Sequence, residues 1–253
     1  MYSLSSFKTY DIRGVWQSEI DEQFGRIMGY ALGLHLVEKY QIPKILISSD
    51  VREANMILID EFLKGMKTAG IQQVTVIGRE EKDTKYSYGV CSTPMAYYAT
   101  IGKFDCSCLF TASHNPSEYV GAKIVDSKCL SIKSTELRAL FEEHAQTTIA
   151  DTGLPEILPY TDTKITELLT DIQEKFRTLK KIPKITVDYS HGAATHFEQT
   201  FLRDMLGEQG VHIFTNPDGS FPAHETDTSR FANYQPLITE IQKNRSDFGF
   251  IFD

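Results

Sequence analysis

The chain has 253 residues, enough for one large or two ordinary domains, and its 41% hydrophobic content is enough to bury a core. Its 26 basic and 34 acidic residues leave a net charge of −8, which argues against nucleic acid or an acidic membrane surface as main partner but leaves room for a local anion pocket. No apolar run approaches the ~18–20 residues that span a bilayer, Met1–Ser6 lacks the regions of a secretion signal, and Cys91, Cys106, Cys108 and Cys129 show no metal-ligand spacing, so packing thiols in a reducing cytoplasm are expected.

In chain order, Lys44–Ser48 reads as a short apolar strand, followed by Asp50. Ala54–Ala69 carries Met56, Ile59, Phe62, Leu63 and Met66 at helical spacing, with Gly70 after it. Gln73–Ile77 reads as a strand. Pro94–Gly102 reads as a helix capped by Thr93, with Pro94 at its first position. Phe104–Phe110 is a strand on which Cys106 and Cys108, two apart, share a face. Ala122–Val125 is a further strand, and Ser134–Ala145 a helix capped by its serine. Thr147–Tyr160 holds Gly153, Pro155 and Pro159 with little periodicity and reads as an inter-domain linker. Beyond it come a helix over Thr163–Lys181, a strand Ile185–Asp188, a helix Thr195–Leu206, a strand Val211–Phe214, a helix Tyr234–Lys243 and a strand Phe248–Phe252, the last expected at a sheet edge. This alternation predicts an α/β protein of two consecutive three-layer α/β/α domains, residues 1–150 and 151–253, with mixed, mostly parallel sheets.

The run Thr111-Ala112-Ser113-His114-Asn115-Pro116 concentrates the candidate chemistry. A hydroxyl and an imidazole stand side by side in a polar loop after an apolar strand, a pattern that suits a nucleophile or a phosphoryl carrier. Asn115-Pro116 favours a turn whose amides can point at an anion, and Lys123 could balance its charge. An ordinary Ser/Asn/Pro loop would read the same way.

Four segments together resemble the α-D-phosphohexomutases, the phosphomannomutase and phosphoglucomutase branch in particular. Thr111–Pro116 followed by Glu118–Lys123 resembles that family's phosphoserine loop. Tyr10-Asp11-Ile12-Arg13-Gly14 is similar to its N-terminal motif, Ser92-Thr93-Pro94 to a turn, and Pro217–Pro222 to a segment of its second domain. The resemblance implies an isomerase that transfers a phosphoryl group within a hexose phosphate, Ser113 being the residue that carries it. It further implies that Arg13 and Lys123 contact the reacting groups and bind substrate, that His114 flanks the phosphoserine, and that Tyr10 lies at the substrate. A magnesium ion held by Ser113 and Asp253, and a hexose 1,6-bisphosphate as intermediate and activator, belong to the same implication.

The sequence departs from that pattern in places. Asp50 and Arg52 resemble a family Asp-x-Arg segment, but Glu53 and Ala54 replace its serines, so the pair reads as structural. Val120 and His191 each stand where Asn is usual, and Ala223–Thr228 replaces a familiar run. Asp247–Asp253 resembles the strand leading into the metal loop, of whose three aspartates only Asp253 is present. The family's third and fourth domains, with the sugar-recognition and phosphate loops, would be missing partners. The alternative is a sugar-phosphate-binding or interaction protein without catalysis; a one-way phosphatase or phosphoprotein is a third reading.

Overall fold

The computed structural model describes residues 4–78 and 85–253; residues 1–3, part of the Met1–Ser6 stretch read above for a secretion signal, lie outside the described residues. Its contacts divide the chain into one unit of residues 1–112 and 118–160 and a second of residues 113–117 and 161–253.

The first unit is built from β1 (Ile12–Val15), α1 (Glu22–Tyr40), β2 (Ile45–Ser49), α2 (Glu53–Thr68), β3 (Gln73–Val76), α3 (Thr93–Thr100), β4 (Cys106–Phe110), β5 (Tyr119–Asp126), α4 (Ser134–His144) and β6 (Glu156–Pro159). The strands form one sheet in the order β1-β5-β4-β2-β3-β6. Only β5 runs against its neighbours; β4, β2, β3 and β6 are parallel. Both β2 and β4 are buried along their whole length, which is why they read as continuous apolar runs rather than alternating ones. Cys106, Cys108 and Phe110 of β4 point into the core with Phe24, Phe62 and Phe141 from α1, α2 and α4. As expected, the two cysteines share a face, and all four cysteines are free thiols.

Two features of this unit differ from the sequence reading. The helix α1 was not foreseen. Gly25, Gly29 and Gly33 dilute its helical propensity, and it is buried nearly all round, which blurs its period. The glycines have a packing reason. A Cβ on Gly29 would run into the carbonyl of Phe62, and one on Gly65 into that of Arg26, so α1 and α2 meet backbone to backbone. Asp21 starts α1 by accepting from the Phe24 amide at 2.7 Å. Secondly, Thr147–Tyr160 is not a bare linker. Glu156–Pro159 pairs in parallel with β3 from Gln73 to Val76 and forms the sheet edge, where a proline is tolerated. Caps shift by one residue: Ser92 and Lys133, rather than Thr93 and Ser134, occupy the cap positions of α3 and α4.

The second unit contains α5 (Lys164–Phe176), β7 (Ile185–Asp188), α6 (Phe197–Leu206), β8 (Gly210–Ile213), α7 (Gln235–Asn244) and β9 (Phe248–Ile251). Its sheet has the order β8-β7-β9, all parallel, with β9 at an edge as expected. Ile185, Val187 and Tyr189 pack with Leu202 and Leu206 of α6 to form its core. Among the described residues no helix is long and apolar enough to cross a membrane.

Candidate functional site

Ser113 lies in the eight-residue connection between β4 and β5, from Thr111 to Glu118. The stems of this loop are closed by backbone bonds. The amide of Thr111 donates to the Gly121 carbonyl at 2.9 Å, and that of Trp16 to the Glu118 carbonyl at 2.9 Å. Ser113 itself adopts a left-handed conformation, φ 56°, which a serine seldom takes. Its Oγ stands 3.4 Å from Nδ1 of His114.

The residues Ser113–Ser117 group with the second unit, and there His114 meets Asp253. Its Nδ1 lies 3.8 Å from Oδ2 of Asp253, whose side chain is 52% exposed. Asp227 is part of the same surroundings. Its carboxyl is held below its ordinary pKa by the hydroxyl and amide of Ser229, with smaller help from His114 and Arg230.

Arg13 and Lys123 belong to the first unit and are brought together by the carboxylate of Asp11, part of the same Tyr10–Gly14 motif. Arg13 grips Asp11 through Nε at 2.8 Å and a terminal nitrogen at 2.7 Å. Lys123 Nζ stands 3.7 Å from the same Oδ2. The antiparallel register of β1 and β5, Ile12 opposite Ala122 and Arg13 opposite Gly121, accounts for the trio. Two cations around one buried carboxylate leave a net positive charge. At Gly121 there is no room for a side chain between Arg13 and the loop stem. A Cβ there would stand 3.2 Å from Arg13 Cγ, 2.9 Å from the Thr111 carbonyl and hard against the Ile12 carbonyl. Asp11 directly precedes β1, two residues before Arg13 in the Tyr10–Gly14 motif. Tyr10 is 71% exposed and points away from the core.

Asp50 and Arg52, read from the sequence as a structural pair, form a buried ion pair. Arg52 is 1% exposed and meets Asp50 at 3.1 Å. Asn55, not singled out before, completes the cluster by donating to Asp50 at 2.9 Å and to the Phe110 carbonyl at 3.0 Å.

In the second unit the motif residues gather where three parallel strands end, the side on which open α/β sheets bind ligands. Ser190 and His191 follow β7 with φ of 50° and 54°. His191 accepts the Asp218 amide on its carbonyl at 2.9 Å, tying the Pro217–Pro222 segment to this turn. Asp188, fully buried, accepts from the Ser190 amide at 2.8 Å and meets His224 Nε2 at 3.2 Å. The His224 side chain is 4% exposed. The carboxylate beside it raises its pKa against the opposing effect of burial.

With this geometry in view, the two units match the α/β/α domain I model of phosphoglucomutase/phosphomannomutase over residues 4–149 and the domain II model over residues 163–253. The chain belongs to the phosphoglucomutase/phosphomannomutase family. It is 33% identical to a phosphomannomutase of Methanocaldococcus jannaschii, covering 99% of this chain and 52% of that one. It is 28% identical to a phosphomannomutase/phosphoglucomutase of Pseudomonas putida, covering 98% and 50%. A phosphoglucomutase/phosphomannomutase family protein from Burkholderia thailandensis superposes with a TM-score of 0.80 at 25% identity, covering 99% of this chain and 52% of that one. The chain thus spans about half the length of the relatives it matches.

Magnesium, which the family resemblance implies, does not fit the donors of this chain as they stand. Ser113 and Asp253 offer one hydroxyl and one half-exposed carboxylate, whereas magnesium asks for near-octahedral oxygen ligation. Among the described residues no three His, Cys, Asp or Glu side chains gather as a metal-holding group.

Proposed function

We propose that this chain forms the phosphoryl-carrying part of a hexose-phosphate mutase. The observation that supports this most is Ser113, held at φ 56° in a short loop beside His114, in a chain matched over both units to the mutase family. Phosphoryl transfer relies on positioning and on neutralising oxygen charge rather than on covalent chemistry by the protein. In this reading the Oγ–P bond of phosphoserine breaks as a hydroxyl of a hexose monophosphate forms the new O–P bond and gives up its proton. The resulting hexose 1,6-bisphosphate returns its other phosphoryl group to Ser113, and the free sugar oxygen regains a proton.

The roles of the side chains follow from their chemistry. The guanidinium of Arg13 can hold phosphate oxygens in a bidentate grip. Asp11 fixes that guanidinium by two bonds, which lowers the entropy lost when substrate binds. Lys123 adds a second positive charge toward the anionic substrate. His114, 3.4 Å from the serine oxygen, is the group best situated to hold a proton on Oγ when the phosphoryl group is elsewhere. Tyr10, exposed, is available to lie along the sugar. A cytoplasmic setting agrees with four cysteines kept as thiols.

The test is direct. The full gene product is treated with glucose 1,6-bisphosphate, the peptide holding Ser113 is weighed by mass spectrometry, and turnover of glucose 1-phosphate and mannose 1-phosphate is followed. The expected result is one phosphoryl group on Ser113, with turnover falling more than about a thousandfold in Ser113→Ala. Full turnover in that variant would overturn the reading. Phosphorylation or sugar-phosphate binding without any turnover would favour the non-catalytic alternative.

A further inference from the structure

The two stems of the Ser113 loop are pinned by one buried charged cluster. The N-terminal stem ends at Phe110. Its carbonyl accepts from the Asp50 amide at 2.9 Å and from Asn55 Nδ2 at 3.0 Å. The C-terminal stem begins at Tyr119, and its carbonyl accepts from a terminal nitrogen of Arg52 at 3.1 Å. Asp50 joins the two halves. Its carboxylate takes Arg52 Nε at 3.1 Å, the Arg52 amide at 2.9 Å and Asn55 Nδ2 at 2.9 Å. A guanidinium 1% exposed is an uneconomical way to fill a core. Burying an ion pair gains little stability over well-packed apolar side chains, and its better-attested use is to select one arrangement.

We propose that Asp50, Arg52 and Asn55 are positioning residues for phosphoryl transfer, setting the spacing and orientation of the two loop stems and through them the backbone of Ser113. The inference rests on the functional reading above, and it concerns the rate of the transfer rather than the affinity for the sugar phosphate. Arg52 is suited to the task because its planar fork reaches the Asp50 carboxylate just after β2 and the Tyr119 carbonyl on β5 at once. Lysine keeps the charge opposite Asp50 but has a single nitrogen to share. Displacement of a reacting group by about 1 Å can cost roughly a hundredfold in rate, so the loss of one stem bond is enough to be felt.

The experiment compares Arg52→Lys and Asn55→Ala with the unaltered full gene product, reading kcat and KM for glucose 1-phosphate and amide hydrogen exchange along the chain. The expected result is a fall in kcat of about 10–100-fold with KM within about twofold. It comes with faster exchange confined to residues 110–121 and unchanged protection in α1 and β2. A kcat within twofold of the unaltered protein in both variants would overturn the proposal. So would exchange that quickens evenly across the first unit, which marks a general loss of stability. If the unaltered protein itself shows no turnover, the functional reading fails, and with it the catalytic purpose of the cluster. The exchange pattern then decides only whether the stems are pinned.

Discussion

In the first unit the strand β2 runs into Asp50; in the second, β7 ends on Asp188. Both carboxylates are buried, and both organise the turn that follows their strand by accepting a backbone amide two residues on. The difference lies in the cation. Asp50 is answered by Arg52, whose charge persists at any pH a protein survives. Asp188 is answered by His224, whose charge changes near neutrality. The same architectural problem, a carboxylate at the end of an interior strand, therefore has a permanent solution in one unit and a titratable one in the other. The teaching is that a shared layout of strand and turn does not carry a shared response to pH.

The largest effect should come from breaking the permanent pair. Arg52→Ala leaves the carboxylate of Asp50 buried with only neutral partners, the backbone amide of residue 52 and Asn55 Nδ2, and such a change costs about 3–5 kcal/mol. Trp16 is the only tryptophan and belongs to the first unit, so its fluorescence during urea unfolding reports on that unit alone. The midpoint should drop sharply. A midpoint that stays put would mean that water reaches Asp50 and that the pair is not the closed cluster described above.

Next in size is the corresponding break in the second unit. Asp188→Asn removes the negative charge facing His224 while an amide oxygen can still accept from Ser190. Loss of a charge-assisted hydrogen bond of this kind costs about 1.5–3 kcal/mol. The measurement is amide exchange in β7 and β9, whose protection should fall while that of β2 and β4 is unaffected. Equal losses in both units would refute their independence in this respect.

The two clusters also differ in how far they could be read ahead of the structure. Asp50 and Arg52 stand two residues apart and announce their pairing in the chain. Asp188 and His224 are separated by 36 positions, and His224 sits in a run that looked only like a departure from the family pattern. The same contrast holds for the site. The loop around Ser113 is contiguous, so its residues could be picked out together as one candidate. The gathering of Asp11, Arg13 and Lys123 depends on the pairing of β1 with β5, which no local pattern encodes. Of the fold, the strands with dense apolar runs were visible, and so were helices with one polar face. The helix α1 was hidden because its glycines serve contact with α2 rather than helix formation, and β6 because a short edge strand carrying proline resembles a linker.

The smallest effect, and the one that isolates the difference in cation, is the pH dependence. His224 has its pKa raised in the folded state by the Asp188 carboxylate, with a further push from the Glu225 carbonyl that its Nδ1 meets at 2.8 Å. A histidine raised in this way adds stability that is fully present below its unfolded value of about 6.5 and is lost as pH climbs through the folded value. His212 in the same unit works against it. Burial lowers its pKa, so its contribution is present above about 6.5 and lost as pH falls through the depressed value. The unaltered protein will therefore show a muted response. The difference between it and His224→Gln removes the common His212 contribution. The gap in second-unit stability, measured by amide exchange in β7 between pH 5.5 and 8.5, should be widest at the acid end and should close as pH rises. Each tenfold gain in proton affinity contributes about 1.4 kcal/mol to that gap. The first unit, followed through Trp16, should show no such change between the two proteins. A gap that stays constant with pH would mean that His224 holds Asp188 as a neutral hydrogen-bond donor, and the contrast between a permanent and a titratable cation would then be lost.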